Sequence, residues 1–200
     1  MKKPKRRKKK AGIRINPRYI IVAGAVIVVL VLLIFGIRGC GASHKSPEGV
    51  VKALIQSYAE GKEGRVKDCY GAKKDTDKEL QAQIDATIKY FKAHNAREIK
   101  IDACGILSEN KSYTYVYIVY KLELENGQEY PCISTFMTGL ENRKYYVLPP
   151  SKVTEDMSKQ AATEYAKFMT TDTYKKYTTD YETFIKKNPG YEEKIAGKVS

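Results

Sequence analysis

The sequence has little of what enzymes commonly use for catalysis. Its 200 residues include no tryptophan, two histidines and four cysteines. Four motifs that mark hydrolases, nucleotide-binding proteins and metalloproteases are absent: Gly-x-Ser-x-Gly, the phosphate-binding loop, the dinucleotide-binding glycine fingerprint and His-Glu-x-x-His. His44 lies in a predicted connector and His94 at the end of a predicted helix, so a histidine-dependent mechanism is not expected. We therefore predict a protein that is not an enzyme and has no catalytic residues.

The cysteines are too few for a disulfide-rich scaffold and have the wrong spacing for zinc. No Cys-x-x-Cys pair occurs, so no metal site and no cofactor are predicted. Cys69, Cys104 and Cys132 lie in the predicted folded part, where they are expected to be small buried residues rather than nucleophiles. A bridge from Cys69 to one of the other two stays open. Cys104 and Cys132 should lie two strands apart, too far for a disulfide.

One long apolar segment stands out in this polar chain. Residues 19–37 are uncharged and mostly apolar, and Arg18 and Arg38 flank them. As a helix they would extend about 28 Å, close to the thickness of the hydrocarbon core of a bilayer. The first 18 residues contain ten Lys and Arg and no acid, and such a basic flank stays on the cytoplasmic side. We therefore predict a cytoplasmic tail at 1–18, a transmembrane helix at 19–38 and an extracytoplasmic remainder.

Two alternatives for this segment stay open. A cleaved secretory signal has the same order of charges, although its apolar region is usually shorter, about 7–15 residues. The stretch Ile37-Arg38-Gly39-Cys40 is similar to a bacterial lipobox, in which Cys40 would be lipidated, but Arg38 stands where that pattern has a small or apolar residue. The uncleaved anchor and both alternatives place the remainder of the chain outside the cytoplasm. The predicted location is the cell membrane, crossed once.

The net charge of +13 is concentrated at the N-terminus. Eleven of the 36 basic residues lie within residues 1–38, which leaves 25 bases against 23 acids and a net charge of about +2 for residues 39–200. A nucleic-acid-binding domain needs a clear basic excess, so we predict no nucleic acid partner for the folded part. The basic tail is typical of segments that lie against anionic lipids, which makes the lipid bilayer the first predicted partner.

The folded part begins after a short linker at 39–46. Ser46, Pro47 and Glu48 form a favourable helix start, with a capping side chain, a proline in the first turn and an acid beside it. Apolar residues then repeat at helical spacing. Three helices are predicted, at 47–60, at 63–70 and from the capping box Thr76-x-x-Glu79 to about Asn95.

Beyond Asn95 the hydrophobic pattern changes from helical to alternating. Four strands are predicted, at 98–107, 112–125, 128–138 and 144–148. Asn126-Gly127, between two alternating runs, predicts a hairpin with a two-residue turn. A second turn is expected near residues 109–110.

The register of these hairpins decides which side chains share a face of the sheet. A two-residue turn pairs residues whose numbers sum to about 253, so Phe136 would lie beside Tyr117, with Tyr115 on the same face. The turn near 109–110 would add Asp102 beside Tyr117. These four residues are the candidates for ligand or partner binding. Asp102 with the two tyrosines also comes nearest to an acid–base group, although a solvated strand surface is the plainer interpretation.

Residues 151–200 are predicted to form a helical extension after Pro149-Pro150 ends the strand region. Thr171-Asp172 interrupts this extension, and Asn188-Pro189-Gly190 ends its second helix. The last ten residues are polar and are expected to fray. An aromatic stripe at 174–185 is expected to cover the aromatic sheet face. A homodimer through that face, or a protein partner or ligand bound there, are the alternatives.

Three helices followed by a four-strand antiparallel meander is the element order of a cone-shaped α+β fold. The opening helix, Ser46-Pro47-Glu48-Gly49-Val50-Val51-Lys52-Ala53-Leu54-Ile55-Gln56-Ser57-Tyr58-Ala59-Glu60-Gly61, resembles that of NTF2-like (cystatin-like) domains. The resemblance implies a curved sheet wrapped around the long helix over residues 47–150. It also implies kinship with single-pass bacterial surface proteins, a family of unassigned function.

These features together predict a membrane-anchored, extracytoplasmic binding or assembly module without catalytic activity. Conjugation-system components of the VirB8 type share the plan of a short cytoplasmic tail, one span and an NTF2-like outer domain. A scaffold subunit of a conjugation or secretion system is therefore one alternative. An isomerase-like or cyclase-like NTF2 enzyme is the other, and it requires an open cone with an inward-pointing carboxylate.

Overall fold

The structure is a computed structural model that describes residues 43–72 and 76–200. Its helices are α1 (Pro47–Ala59), α2 (Glu63–Cys69), α3 (Lys78–His94), α4 (Glu155–Phe168), α5 (Asp172–Lys187) and α6 (Tyr191–Val199). Its strands are β1 (Ala96–Glu109), β2 (Thr114–Leu124), β3 (Glu129–Glu141) and β4 (Lys144–Val147). The predicted tail, the predicted span at 19–38 and the alternatives at Cys40 lie outside the described residues. None of the described helices combines the length and the apolar composition needed to cross a bilayer.

Helix α1 forms where the sequence predicts it. The hydroxyl oxygen of Ser46 accepts a hydrogen bond from the backbone N–H of Gly49 at 3.0 Å, and Pro47 occupies the first turn. The helix ends before Gly61, whose φ of +64° is a conformation that glycine adopts without strain. The buried apolar face of α1 consists of Val50, Val51, Leu54, Ile55 and Tyr58.

Helix α3 has a different N-cap from the predicted one. The carboxylate of Asp77 accepts a hydrogen bond from the N–H of Leu80 at 2.7 Å, whereas the Thr76 hydroxyl donates to the carbonyl oxygen of Ala72 at 2.9 Å. The predicted capping box Thr76-x-x-Glu79 is therefore wrong. A carboxylate one residue later caps at least as well as a threonine, and the helix begins after it.

The four strands form one antiparallel sheet in the order β1-β2-β3-β4, so the predicted α+β fold with a four-strand meander is confirmed. As predicted, α3 ends at Asn95, which adopts a left-handed conformation with φ 51°. Strand β1 has three irregularities of register along β2, and bulges of this kind bend a strand and increase its twist. Helix α1 lies against all four strands, and the core that α1, α3 and the sheet share includes Ile84, Ile88, Phe91, Val116, Ile118 and Tyr120.

The β2–β3 hairpin has a three-residue turn rather than the predicted two-residue turn. The N–H of Leu124 donates to the carbonyl oxygen of Gln128 at 2.8 Å, and the N–H of Gly127 donates to that of Leu124 at 2.9 Å. Asn126 lacks the positive φ that both central residues of a two-residue type I′ turn require, whereas Gly127 has φ +76°. The predicted register is therefore wrong by one residue, and the numbers of paired residues sum to 252.

The C-terminal segment contains three helices. As predicted, it is interrupted at Thr171-Asp172, where the Thr171 side chain caps α5. The expectation that the last ten residues fray is wrong, since Tyr191–Val199 form α6. Ile195 of α6 is buried, and the Lys198 ammonium donates to the carbonyl oxygen of Ala93 at 2.8 Å. A few apolar residues at helical spacing are enough to fix this short helix against the end of α3.

The cysteines of the described part, Cys69, Cys104 and Cys132, are free thiols. The disulfide left open for Cys69 does not form. Burial raises the pKa of Cys69 and of Cys132 to about 12 and that of Cys104 to about 11. The prediction of small buried cysteines is confirmed for Cys69 and Cys132, whereas Cys104 is half-buried.

Candidate functional site

The structure separates the four residues that the sequence predicts to lie together. Phe136 lies opposite Val116 and packs against the main core, on the inner face of the sheet that contacts α3. Tyr115 and Tyr117 point to the outer face, because successive side chains alternate along a strand. A shift of one residue in register moves Phe136 to the other side of the sheet. The predicted cluster is therefore not formed, and its role in binding stays a prediction.

Asp102 does not lie beside Tyr117 either. It is at a bulge of β1, and Gly105 takes the predicted position opposite Tyr117. A carboxylate oxygen of Asp102 lies 3.6 Å from Nζ of Lys121, which is also 3.7 Å from a carboxylate oxygen of Asp180 in α5. Asp102 therefore belongs to a network of ion pairs at the surface rather than to an acid–base group with tyrosines.

Helix α4 covers the outer aromatic face. The ring of Phe168 lies 4.5 Å from that of Tyr117, measured between centroids. Ala161 packs in a second apolar cluster with Tyr115, which is only 7% exposed. The expected cover by the C-terminal helices is confirmed: α4 covers Tyr115 and Tyr117, and α5, which carries the stripe at 174–185, lies against β3. A homodimer through this face would have to displace α4.

The interior between the helices and the sheet is filled. Leu54, Tyr58, Ile84 and Ile118 are at most 2% exposed. The hydroxyls of Tyr58 and Tyr70 lie 3.2 Å apart, and burial raises the pKa of Tyr58 well above its usual value. The buried polar side chains of the described part are Ser57, His94, Thr114 and Thr138. No carboxylate of the described residues is buried in this interior.

His94 is the buried polar residue that sequence reasoning missed. It is 5% exposed, its Nδ1 lies 2.8 Å from the Tyr191 hydroxyl, and its ring stacks on Tyr130 at 4.8 Å. Its Nε2 has no hydrogen-bond partner among the described residues. Burial, helped by the nearby Lys198 ammonium, lowers the pKa of His94 to about 4, so the ring is neutral at pH 7. These contacts give His94 a role in holding α6 against α3, and nothing in the local sequence marks it as buried.

A large cavity lies beside β3, at the edge of the sheet. Its volume of about 780 Å³ is within the range of ligand-binding pockets. Residues 133–137 of β3 form its floor, Gln83 of α3 lies on one side, and Ala162 and Tyr165 of α4 lie on the other. Every lining side chain in the part of the chain that the structure describes is uncharged, although 30% of the residues in the whole chain are charged. We call this cavity the β3 groove.

The β3 groove exists because β4 ends early. Strand β4 pairs with the last four residues of β3, and one further hydrogen bond of 2.8 Å runs from the N–H of Leu148 to the carbonyl oxygen of Met137. The next residues are Pro149-Pro150, which have no N–H. In the same register Pro150 would face Thr135, but the chain turns away there into a short 3₁₀ helix. The edge of β3 before Met137 is therefore left without a neighbouring strand.

Backbone groups of β3 face this groove at alternate residues. The carbonyl oxygen of Gln128 accepts from β2, so even-numbered residues of β3 pair with β2 and odd-numbered residues face the free edge. Pro131, which has no N–H to offer, lies at an odd position, as this alternation requires. Ile133 and Thr135 therefore present their N–H and C=O groups to the groove. In the part of the chain that the structure describes, no residue bonds to these four groups.

Tyrosine hydroxyls add polar character to the β3 groove. Burial raises the pKa of Tyr70 above its usual value and that of Tyr165 to about 12, so both hydroxyls are neutral at pH 7. The Tyr115 hydroxyl donates to Oγ1 of Thr135 at 3.0 Å. The described lining residues thus offer hydrogen-bonding groups and apolar surface, and none of them carries a charge.

No protein-family model and no curated protein matches this chain. A crystal structure of a protein named as an NTF2-like transpeptidase from Campylobacter jejuni is 17% identical, with a TM-score of 0.36, over 52% of this chain and 98% of that one. A solution structure of a SEC-C motif protein from Rhodopseudomonas palustris is 17% identical, with a TM-score of 0.38, over 56% of this chain and 80% of that one. At these values neither likeness says anything about function.

Proposed function

We propose that this chain is a membrane-anchored, extracytoplasmic module that binds or assembles with a partner and has no catalytic activity. The observation that carries the proposal is the filled interior between α3 and the sheet. NTF2-like enzymes such as ketosteroid isomerases work in that space, which must then be open and hold an acid–base group. The β3 groove, by contrast, is open, and its described lining residues are uncharged, which suits binding better than proton transfer.

The proposed family is that of NTF2-like domains in single-pass bacterial surface proteins. The order of three helices before a four-strand meander supports the domain type. The length of the apolar segment and the basic tail support an anchor at 19–38. A scaffold role in a conjugation or secretion system is one form that such assembly could take.

Cysteine labelling of intact cells or spheroplasts tests the topology. In a Cys40→Ala, Cys104→Ala background the two remaining thiols are buried, so an added cysteine reports its own exposure. Lys111→Cys, at an exposed turn, should react with a membrane-impermeant maleimide, whereas Ala11→Cys in the tail should react only after lysis. Labelling of Ala11→Cys before lysis, or of Lys111→Cys only after it, would contradict the proposed topology.

Photo-crosslinking in living cells tests the binding role. A photoreactive phenylalanine analogue is placed at one exposed residue of each of three helices: Ala82 of α3, Ala162 of α4 and Thr179 of α5. At least one position should give an adduct with a partner protein. If none of them does, the chain has no partner near these surfaces, and the binding proposal fails.

A further inference from the structure

We propose that the β3 groove binds an extended, uncharged segment of a partner polypeptide, which adds to the sheet as a further strand along β3. This inference rests on the proposed binding function and names the chemistry of the partner. It starts from Ile133 and Thr135, whose backbone N–H and C=O groups face the groove with no partner among the described residues. Unpaired backbone groups on an edge strand are a template for another strand.

The spacing of these groups fits an extended polypeptide. Ile133 and Thr135 are two residues apart, which corresponds to about 6.8 Å along a strand, and any extended segment repeats its own hydrogen-bonding groups at the same interval. The chain already shows this pairing at the adjacent position, where Leu148 donates to Met137. A bound segment would continue the ladder from the point at which Pro149-Pro150 leave it.

Two features limit the length of the bound segment. At one end Pro131 has no N–H to donate, and at the other the carbonyl oxygen of Met137 is already bonded to Leu148. Ile133 and Thr135 together can make about four backbone hydrogen bonds, which requires a segment of about four or five residues. The site therefore fits a short linear segment rather than a long strand.

The lining of the groove determines which side chains it accepts. The described residues of the lining include no charged one, so a charged side chain bound there would lose hydration without gaining an ion pair from them. Ser158 and Ala162 are small residues on the α4 side, and Gln83 and Tyr70 offer polar contacts on the other. We expect the segment to carry small, apolar or hydroxyl side chains. No Lys or Arg of the described residues lines the groove, so a phosphate group bound there would have no charged partner among them.

The helices beside the groove argue against a second copy of this chain as the occupant. Residues of α3 and α4 both line the groove, one helix on each face of the sheet. Paired strands lie about 4.8 Å apart, whereas a helix with its side chains is about 10–12 Å wide. An edge-to-edge pair would bring the α3 and α4 helices of both copies beside the same short open stretch, where they would crowd one another. A lone extended segment has no such restriction.

Hydrogen exchange measured on the full-length chain in detergent micelles tests the proposal. The probe is a phage-displayed library of random short peptides, from which binders are selected and synthesised. A bound peptide should slow exchange of the Ile133 and Thr135 amides at least about tenfold, with little change at Ser134, whose amide already pairs with β2. Protection without any peptide would overturn the proposal. If that protection is independent of protein concentration, a segment of the same chain is the occupant, and if it rises with concentration, a second copy is.

Two variants test whether the backbone edge carries the binding. Ile133→Pro removes one donor at the free edge and leaves the pairing with β2 intact, as Pro131 shows. The matched control Ile133→Ala keeps that donor. Affinity for the selected peptides should fall at least about tenfold in the proline variant and less than about threefold in the alanine variant.

Ala162→Trp fills the groove from an exposed position of α4 and tests the same site if Ile133→Pro does not fold. It should also abolish peptide binding. The proposal is overturned if both groove variants bind as tightly as the unmodified chain, or if the library yields no peptide that protects the two amides. If a partner crosslinks at Thr179 but no peptide slows hydrogen exchange at the Ile133 amide, the proposed binding function stands and only the inference about the β3 groove is refuted.

Discussion

Phe168→Ala tests how firmly α4 is held on the outer face of the sheet. The Phe168 side chain is 4% exposed, and its ring centroid lies 4.5 Å from that of Tyr117, 6.0 Å from that of Tyr165 and 5.7 Å from that of Tyr174. These contacts join α4, α5 and β2 at one point. Replacing the ring by a methyl group therefore leaves a cavity between three elements.

The expected loss of stability is about 3 kcal/mol, the lower end of the range for buried phenylalanine-to-alanine changes. The lower end applies because Phe168 lies outside the main core, where the neighbouring rings can move to fill part of the cavity. Met169→Ala is the matched control. This next residue is 46% exposed, so its truncation should change stability by less than about 0.5 kcal/mol.

Urea unfolding of the full-length chain in detergent micelles, followed by circular dichroism, measures both variants. With a urea dependence of about 2 kcal/mol per molar, Phe168→Ala should lower the midpoint by about 1.5 M. A fall of less than about 0.5 M would show that the ring does not hold α4 in place. An equal fall for Met169→Ala would trace the effect to the helix end instead of the buried ring. Either result would refute the reasoning.

Three further predictions concern the turn, the buried histidine and the buried thiols. Gly127→Ala should destabilise the chain by about 1 kcal/mol, because alanine is strained at the φ of +76°. Gly64→Ala in α2 should stabilise the chain by up to about 1 kcal/mol, because alanine is the better helix former. Neither added methyl meets an atom within 4 Å, so urea midpoints that shift in the same direction would contradict this backbone effect. The pKa of His94 is lowered from 6.5 to about 4 in the folded chain, so the unfolded chain binds the proton at a higher pH. The free energy of unfolding should therefore fall by about 3 kcal/mol as the pH drops from 6.5 to about 4. His94→Phe should lose most of this dependence in thermal melts, and a flat profile for the unmodified chain would disprove the burial effect. Maleimide should modify Cys132 only after unfolding, so rapid reaction of the folded chain would contradict its burial.

Local sequence features, such as helix caps and turn residues, predicted the fold. Ser46 and Pro47 start α1, Asn95 ends α3, and a hairpin turn forms at Asn126-Gly127. Each of these depends on dihedral angles and hydrogen bonds among neighbouring residues, which the local sequence determines. The order of helices and strands follows from such signals, and with it the α+β meander.

The predicted four-residue cluster depended on register, which the local sequence does not determine. Asn126-Gly127 is compatible with a two-residue turn and with a three-residue turn in which the glycine takes the left-handed conformation. The second of these occurs, and it moves Phe136 from the outer to the inner face. Asp102 is displaced in a similar way by the bulges of β1, which hydrophobic alternation alone does not reveal.

The sequence contains a signal for the β3 groove, namely the two prolines that end β4, but their effect is on the neighbouring strand β3. Pro149-Pro150 predict the end of the strand region, and a four-residue β4 that stops at two prolines also leaves residues 129–136 of β3 without a strand on the side away from β2. This much could have been predicted from the sequence. The position of α4 beside the groove depends on contacts such as that between Phe168 and Tyr117, which join distant parts of the chain.

Residues 133–136 of the β3 edge lack the charged side chains that commonly protect an edge strand. Exposed edges are usually blunted by charged side chains, by short length or by a covering element. Residues 133–136 carry no charge, and α3 and α4 lie beside this stretch without pairing to it. Pro131 and Pro149-Pro150 bound the open stretch of β3. The stretch is therefore too short for two sheets to pair edge to edge, but it is long enough to pair with one short peptide segment. This edge is bounded by proline at both ends, lies between two helices and still has unpaired backbone groups. Together these are the properties of a site that binds a short peptide.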